Sequence, residues 1–131
     1  MGTSAASVHR RFVDEVVAGK HVELLDELFD SDAVLDQGSL DGLRAQMNAQ
    51  ASGLDITISY LHEYNEGDWT VHHMDITITH VGEFMGQPGT GKEAHLLEVE
   101  AARVLDGRIV EMWSVADIVG AMVQLGIPLP V

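Results

Sequence analysis

Residues 80–126, HVGEFMGQPGTGKEAHLLEVEAARVLDGRIVEMWSVADIVGAMVQLG, constrain what this chain can fold into more than any other stretch. They read as the end of a strand, a glycine-rich loop, a long strand, a tight turn at Asp106-Gly107, a last strand and a closing helix. A type I′ two-residue hairpin turn needs positive φ at both central positions, and Asp-Gly tolerates that where most pairs do not. The hairpin carries Glu98, Glu100 and Ser114, polar side chains in otherwise apolar surroundings. The rest of the chain is expected to cover one face of it.

Upstream, the apolar spacing is helical. Val8, Phe12, Val16 and Val17 place a helix over residues 7–17, which Gly19 ends. Leu24, Leu25, Leu28 and Phe29 place a second over residues 22–29, followed by a break at Ser31-Asp32 and a short strand over residues 33–35. Ser39 can cap a third helix running through Leu40, Leu43 and Met47 to Gly53, its hydroxyl accepting a free first-turn N–H.

From Leu54 the period drops to two. Leu54, Ile56, Ile58 and Tyr60 alternate with Asp55, Thr57 and Ser59, and Asn65-Glu66-Gly67-Asp68 is a turn. In the run WTVHHMDITITH, His72, Met74, Ile76 and Ile78 share one face, and His73, Asp75, Thr77 and Thr79 the other. Helices followed by antiparallel strands predict one α+β domain over residues 1–131. Its curved antiparallel or mixed sheet would have N-terminal helices closing a pocket on one side. The polar strand face is then either wet, or lines that pocket while the apolar face pairs with a second subunit.

Charge and composition exclude several partners. Twenty-one acids against seven bases give a net charge of −14, and the bases cluster nowhere beyond Arg10-Arg11. A nucleic-acid backbone needs clustered cations, so no such partner is expected. With no cysteine, there is neither a disulfide nor a thiolate zinc site. No apolar run reaches the roughly 18 residues of a membrane span, and the N-terminus lacks a basic region followed by an apolar core. A cytoplasmic domain that does not enter a membrane is expected.

Several short motifs, in this order and spacing, resemble the SnoaL-like polyketide cyclases of the ketosteroid-isomerase-like cone fold. They are Gly42-Leu43-Arg44, Glu66-Gly67-Asp68, Thr79-His80-Val81-Gly82-Glu83-Phe84, Gly86, Pro88, Thr90-Gly91-Lys92, Asp106-Gly107-Arg108-Ile109-Val110-Glu111, Trp113, Asp117 and Gln124-Leu125-Gly126. The resemblance implies a curved sheet wrapped around a deep pocket, a hydrophobic small-molecule substrate, no cofactor and a homodimer. Aromatic-polyketide cyclases of the family use an Asp just after the position of Trp113 as acid/base, assisted by a His. Here those positions hold Ser114 and Glu100. A serine hydroxyl cannot replace an aspartate's proton chemistry near neutral pH.

Glu98 and Glu100 are two apart on one strand, so both project to one face, which the resemblance turns toward the pocket. An apolar pocket disfavours the ionised carboxylate and a neighbouring carboxyl adds repulsion, so the pair should hold a proton. Glu100 is the expected acid, base or neutral donor, with Ser114, His73 and Asp75 completing the catalytic set. Glu98, Met112, Trp69, Trp113 and Asp117 are the expected substrate contacts. Each has a plainer reading: a solvated strand face for the acids, core or wall for the tryptophans, a helix N-cap for Asp117. His72, on the apolar face, reads as a core or interface histidine. His73 and Asp75 could offer two metal ligands, but no third is evident and no metal is expected.

Gly86-Gln87-Pro88-Gly89-Thr90-Gly91-Lys92 superficially fits a phosphate-binding loop. Glu93 follows where Ser or Thr is required, a strand follows where a helix is required, and Pro88 lacks an N–H. It is a turn, or a lip over the pocket mouth. The expected function is a cofactor-independent cyclase acting on a polyketide-like molecule by acid/base or pocket-templated ring closure. An epoxide hydrolase or isomerase of the same fold, and a non-catalytic carrier or dimeric binding module, are the alternatives.

Overall fold

The computed structural model describes residues 4–36 and 38–129. The chain runs α1 (Ala5–Arg11), continuing as a π-helical stretch (Phe12–Ala18), then a 3-10 turn (Val22–Leu24), α2 (Leu25–Leu28), β1 (Phe29–Leu35) and α3 (Leu40–Gly53). There follow β2 (Leu54–Glu66), β3 (Trp69–His80), β4 (Glu93–Leu105), β5 (Arg108–Ala116) and α4 (Ile118–Leu125). One mixed sheet has the order β1-β5-β4-β3-β2, antiparallel except for the parallel β1–β5 pair. The hairpin β4–β5 is thus the middle of the sheet. Its turn has the expected form, with Asp106 at φ 52° and Gly107 at φ 78°.

The caps are those the sequence signals. Ser39 Oγ accepts from Gly42 N at 3.1 Å, and Asp117 Oδ1 accepts from Gly120 N at 2.8 Å. The second expected helix is shorter than its apolar pattern. Phe29 pairs with Ile109 at the start of β1, and the expected break at Ser31-Asp32 is strand. Burial decides this: Phe29 is 1 % exposed beside the fully buried Ile109, while Ser31 and Asp32 face solvent. The glycine-rich loop is a turn, closed by Phe84 N donating to Gln87 O at 2.9 Å and the reverse bond at 3.0 Å. None of residues 86–92 lines the main cavity, so the lip reading falls.

Which face of the sheet points inward is set by register. Glu100 lies opposite His72 and Glu98 opposite Met74, so the two acids share a face with the apolar side of β3. That face meets Phe12, Val13 and Val16 from the N-terminal helical segment, all buried. Apolar helix surface demands apolar sheet beneath it, so the polar side of β3 is outside. Leu97 and Val99 lie outside too, 55 % and 40 % exposed. Among the described residues, no helix is long and apolar enough to cross a membrane.

Candidate active site

Between the helices and the inner sheet face lies a cavity of about 490 Å³. Its wall is mostly aliphatic, with Leu43 and Met47 from α3, Ile56 and Ile58 from β2, Met74 and Ile76 from β3 and Leu96 from β4. Into this surface project Glu98, Glu100 and Ser114, with Asp36 contributing from the end of β1. Ser114 sits opposite Glu100 in the β4–β5 register, and its backbone N–H donates to Asp36 Oδ2 at 2.6 Å.

Behind Glu100 the polar side chains continue in a line. Glu100 Oε1 lies 2.7 Å from His9 Nε2, His9 Nδ1 lies 2.6 Å from His72 Nδ1, and His72 Nε2 lies 2.7 Å from Glu63 Oε1. The two imidazole planes are within 9° of parallel. At the outer end Arg10 Nε donates to Glu63 Oε1 at 3.0 Å, and Asn65 donates to Glu63 Oε2 at 3.0 Å. Tyr60 covers the line from the side: Arg10 stacks 3.9 Å from its ring centre, and its hydroxyl donates to Asp14 Oδ1 at 2.7 Å.

Local structure explains how these groups meet. His9 lies on α1 with Phe12 three and Val13 four positions on, the spacing of one helix face, and all three are buried. Glu63 reaches the inner face because β2 carries a bulge between Tyr60 and His62. The extra residue reverses the strand's alternation, so Glu63 pairs with His72 where strict alternation would have turned it outward.

Electrostatics follow from burial. Burial raises Glu100 from 4.5 to about 7, and burial with the nearby Glu100 charge raises Glu98 to about 8. Burial depresses His9 from 6.5 to about 4 and lowers His72 as well, so both rings are neutral near pH 7. Bonds from Asn65, His72 and Arg10 hold Glu63 down at about 2. An acid pair that keeps its proton at neutral pH therefore faces the cavity, and a permanent anion ends the line outside.

The structure brings together only part of the expected site. Glu98, Glu100, Ser114 and Met112 all line the cavity. His73 and Asp75 do not: they project from the outer face, His73 packing its ring on His62 at 5.4 Å between centres and Asp75 facing solvent. Trp69 and Trp113 are also outside, around a second, more open concavity with Val71 and Ala101. Their parity on β3 and β5 is opposite to that of Met74 and Met112, which settles the side. Asp117 caps α4 and is absent from the cavity wall. His72 is a core histidine. His9, Glu63 and Asp36 were missed; for His9 the signal was its place on the apolar stripe of a helix. Among the described residues, no three ligating side chains gather as a metal site.

A mixed sheet closed by N-terminal helices over an apolar cavity with acidic groups on its wall defines the cone-fold proteins that enclose small molecules. The SnoaL-like polyketide cyclase family model matches residues 7–125, and the chain belongs to that family. Over 69 residues it is 33% identical to aklanonic acid methyl ester cyclase DnrD of Streptomyces peucetius. That match covers 52% of this chain and 48% of the relative, so it spans about half of the relative's length. Wild-type IdmH of Streptomyces antibioticus has the same fold, with TM-score 0.76 and 27% identity over 95% of this chain and 100% of that one. An LEH-like epoxide hydrolase of M. tuberculosis shares the fold at TM-score 0.74 and 11% identity, over 95% of this chain and 90% of that one.

Proposed function

We propose that this protein is a cofactor-independent cyclase that closes a ring in a polyketide-like molecule, with Glu98 and Glu100 as its acid/base pair. The observation behind this reading is the placement of two proton-holding carboxyls, at about 8 and about 7, on the wall of an aliphatic cavity. A carboxyl whose pKa lies near the working pH serves equally as donor and acceptor. The ionised member removes a hydrogen from the carbon next to a substrate carbonyl. The resulting enolate attacks a second carbonyl of the same chain, forming the carbon–carbon bond, and the protonated member gives its hydrogen to the new alkoxide. No external reagent is consumed. The apolar wall folds the flexible substrate so that the reacting carbons meet, which removes several kcal/mol of barrier. The family membership and the partial match to a cyclase support the substrate class.

Ser114 stands where the resemblance expects an aspartate, and its place opposite Glu100 on the cavity wall supports a hydrogen bond to substrate. The test uses polyketide-derived keto esters followed by chromatography of ring-closed product. Glu100→Gln and Glu98→Gln should each lower kcat by at least about 100-fold with little change in KM. Binding without product in the wild type would make the protein a carrier. Cyclisation undiminished in both variants would reduce the role of the cavity to shaping the substrate.

A further inference from the structure

We propose that Glu100, His9, His72 and Glu63 form a proton relay that joins the cavity to the outer surface, holding one more hydrogen than two neutral imidazoles supply. The inference rests on the acid/base reading of Glu100 and adds the route by which its proton comes and goes.

Three contacts of 2.7, 2.6 and 2.7 Å link the four side chains, and a contact that short between two lone pairs is repulsive unless a hydrogen lies in it. Three hydrogens are therefore needed. Each neutral imidazole has one, and carboxylates have none, so the third is an added proton. It has three places to sit: on Glu63, on an imidazole, or on Glu100.

Surroundings select among these. Glu63 faces Arg10 from α1 and Asn65 and His72 from the sheet, all of which favour its anion. An imidazolium at His9 or His72 would be a charge in a site with no exposure at either residue. The remaining charged or titratable neighbours are Asp14 beside Tyr60 and, at the cavity end, Glu98 and Asp36. Burial and the Asp36 charge strengthen the hold of Glu100 on its hydrogen, and they outweigh the hydrogen bond from Glu98, which favours the anion. The resting line thus has one direction: Glu100 O–H donates to His9 Nε2, His9 Nδ1–H to His72 Nδ1, and His72 Nε2–H to the Glu63 carboxylate.

Moving the proton outward takes three linked transfers. Glu100 loses its hydrogen to His9 Nε2, His9 passes its Nδ1 hydrogen to His72 Nδ1, and His72 passes its Nε2 hydrogen to Glu63, which yields it to water. Each ring ends neutral with its tautomer reversed, and Glu100 ends as a carboxylate, ready to act as base. One proton returning inward restores both tautomers. A ring closure that consumes no net proton uses one passage each way and leaves the line as it began. The route runs through the protein, so it operates while substrate fills the cavity.

Long-range 1H–15N spectra of protein labelled at the histidine ring nitrogens test the resting state directly. Resonances are assigned with His9→Gln and His72→Gln. At pH 7 the hydrogens should be on Nδ1 of His9 and Nε2 of His72, with neither ring charged. Nε2 hydrogens on both rings, or an imidazolium at either, overturn the proposal. Glu63→Gln then tests transport, because an amide still accepts from His72 yet cannot take a proton. Exchange of the His9 Nδ1 hydrogen into D2O should slow at least about tenfold, measured at a temperature where both proteins stay folded. A rate equal to that of the wild type overturns the relay. Neither measurement uses turnover, so a relay that fails here is distinguishable from a failure of the cyclase reading, which the Glu98 and Glu100 variants report.

Discussion

His9 Nε2 and Glu100 Oε1 lie 2.7 Å apart across 91 positions of sequence, a helix near the N-terminus meeting the central strand inside the protein. The contact makes α1 part of the acidic site and not merely its roof. It also ties the protonation of a cavity carboxyl to the packing of the first helix.

That coupling has a consequence for stability against pH. In the folded chain Glu98 and Glu100 hold their protons up to about 8 and about 7, against 4.5 when unfolded, so stability is lost as pH rises through that interval. His9 is depressed from 6.5 to about 4 and His72 is also lowered, so folding is favoured as these rings lose protons on the way up to 6.5. The two effects oppose between 4.5 and 6.5, so stability falls less steeply there than the carboxyls alone would dictate. Above 6.5 only the carboxyls act, and unfolding free energy should fall by about 2 kcal/mol by about pH 8.5. Urea titrations across this range check it, and Glu98→Gln should remove more than half of the fall.

Restoring the carboxylate that the resemblance expects at Ser114 should cost stability. The new side chain would stand opposite Glu100, with Asp36 beside it, adding a third acid to one wall. Ser114→Asp is expected to lose about 1–2 kcal/mol at about pH 8 and much less near pH 5, where protonation relieves the repulsion. Thermal melts at the two pH values decide. An equal loss at both would assign the effect to crowding.

The outer face of the sheet exposes Leu97, Val99, Trp113 and Val115 together. We propose that a second copy of this chain covers it, since an apolar patch of neighbouring strand residues is unfavourable in water. Sedimentation velocity should give a dimer for the wild type and a monomer for Val99→Glu, which sets a charge opposite Val115. A monomeric wild type removes this interface.

Much of the fold was legible because it depends on local chemistry. Asp106-Gly107 announced its turn, Ser39 and Asp117 their caps, and Trp69–His80 a strand whose bounds the structure reproduces. The inward projection of Glu98 and Glu100 was also expected, on the strength of the resemblance. His73 and Asp75 were misplaced because alternation reports which residues share a face, never which face is enclosed. His9 and Glu63 escaped notice for separate reasons. One is a single polar residue on the apolar stripe of a helix, and the other, still exposed, was turned to the inner side of the sheet by a bulge with no mark in its sequence.

By itself the sequence determined the elements, the pairing of the two acids on one side of a strand and the lack of basic clusters, because periodicity, capping and net charge are properties of neighbouring residues. Only the tertiary structure decided that the apolar side of β3 faces in, that a one-residue bulge turns Glu63 toward His72, and that His9 reaches Glu100. Those outcomes depend on register and on helix docking, where groups distant in the chain compete for the same enclosed space.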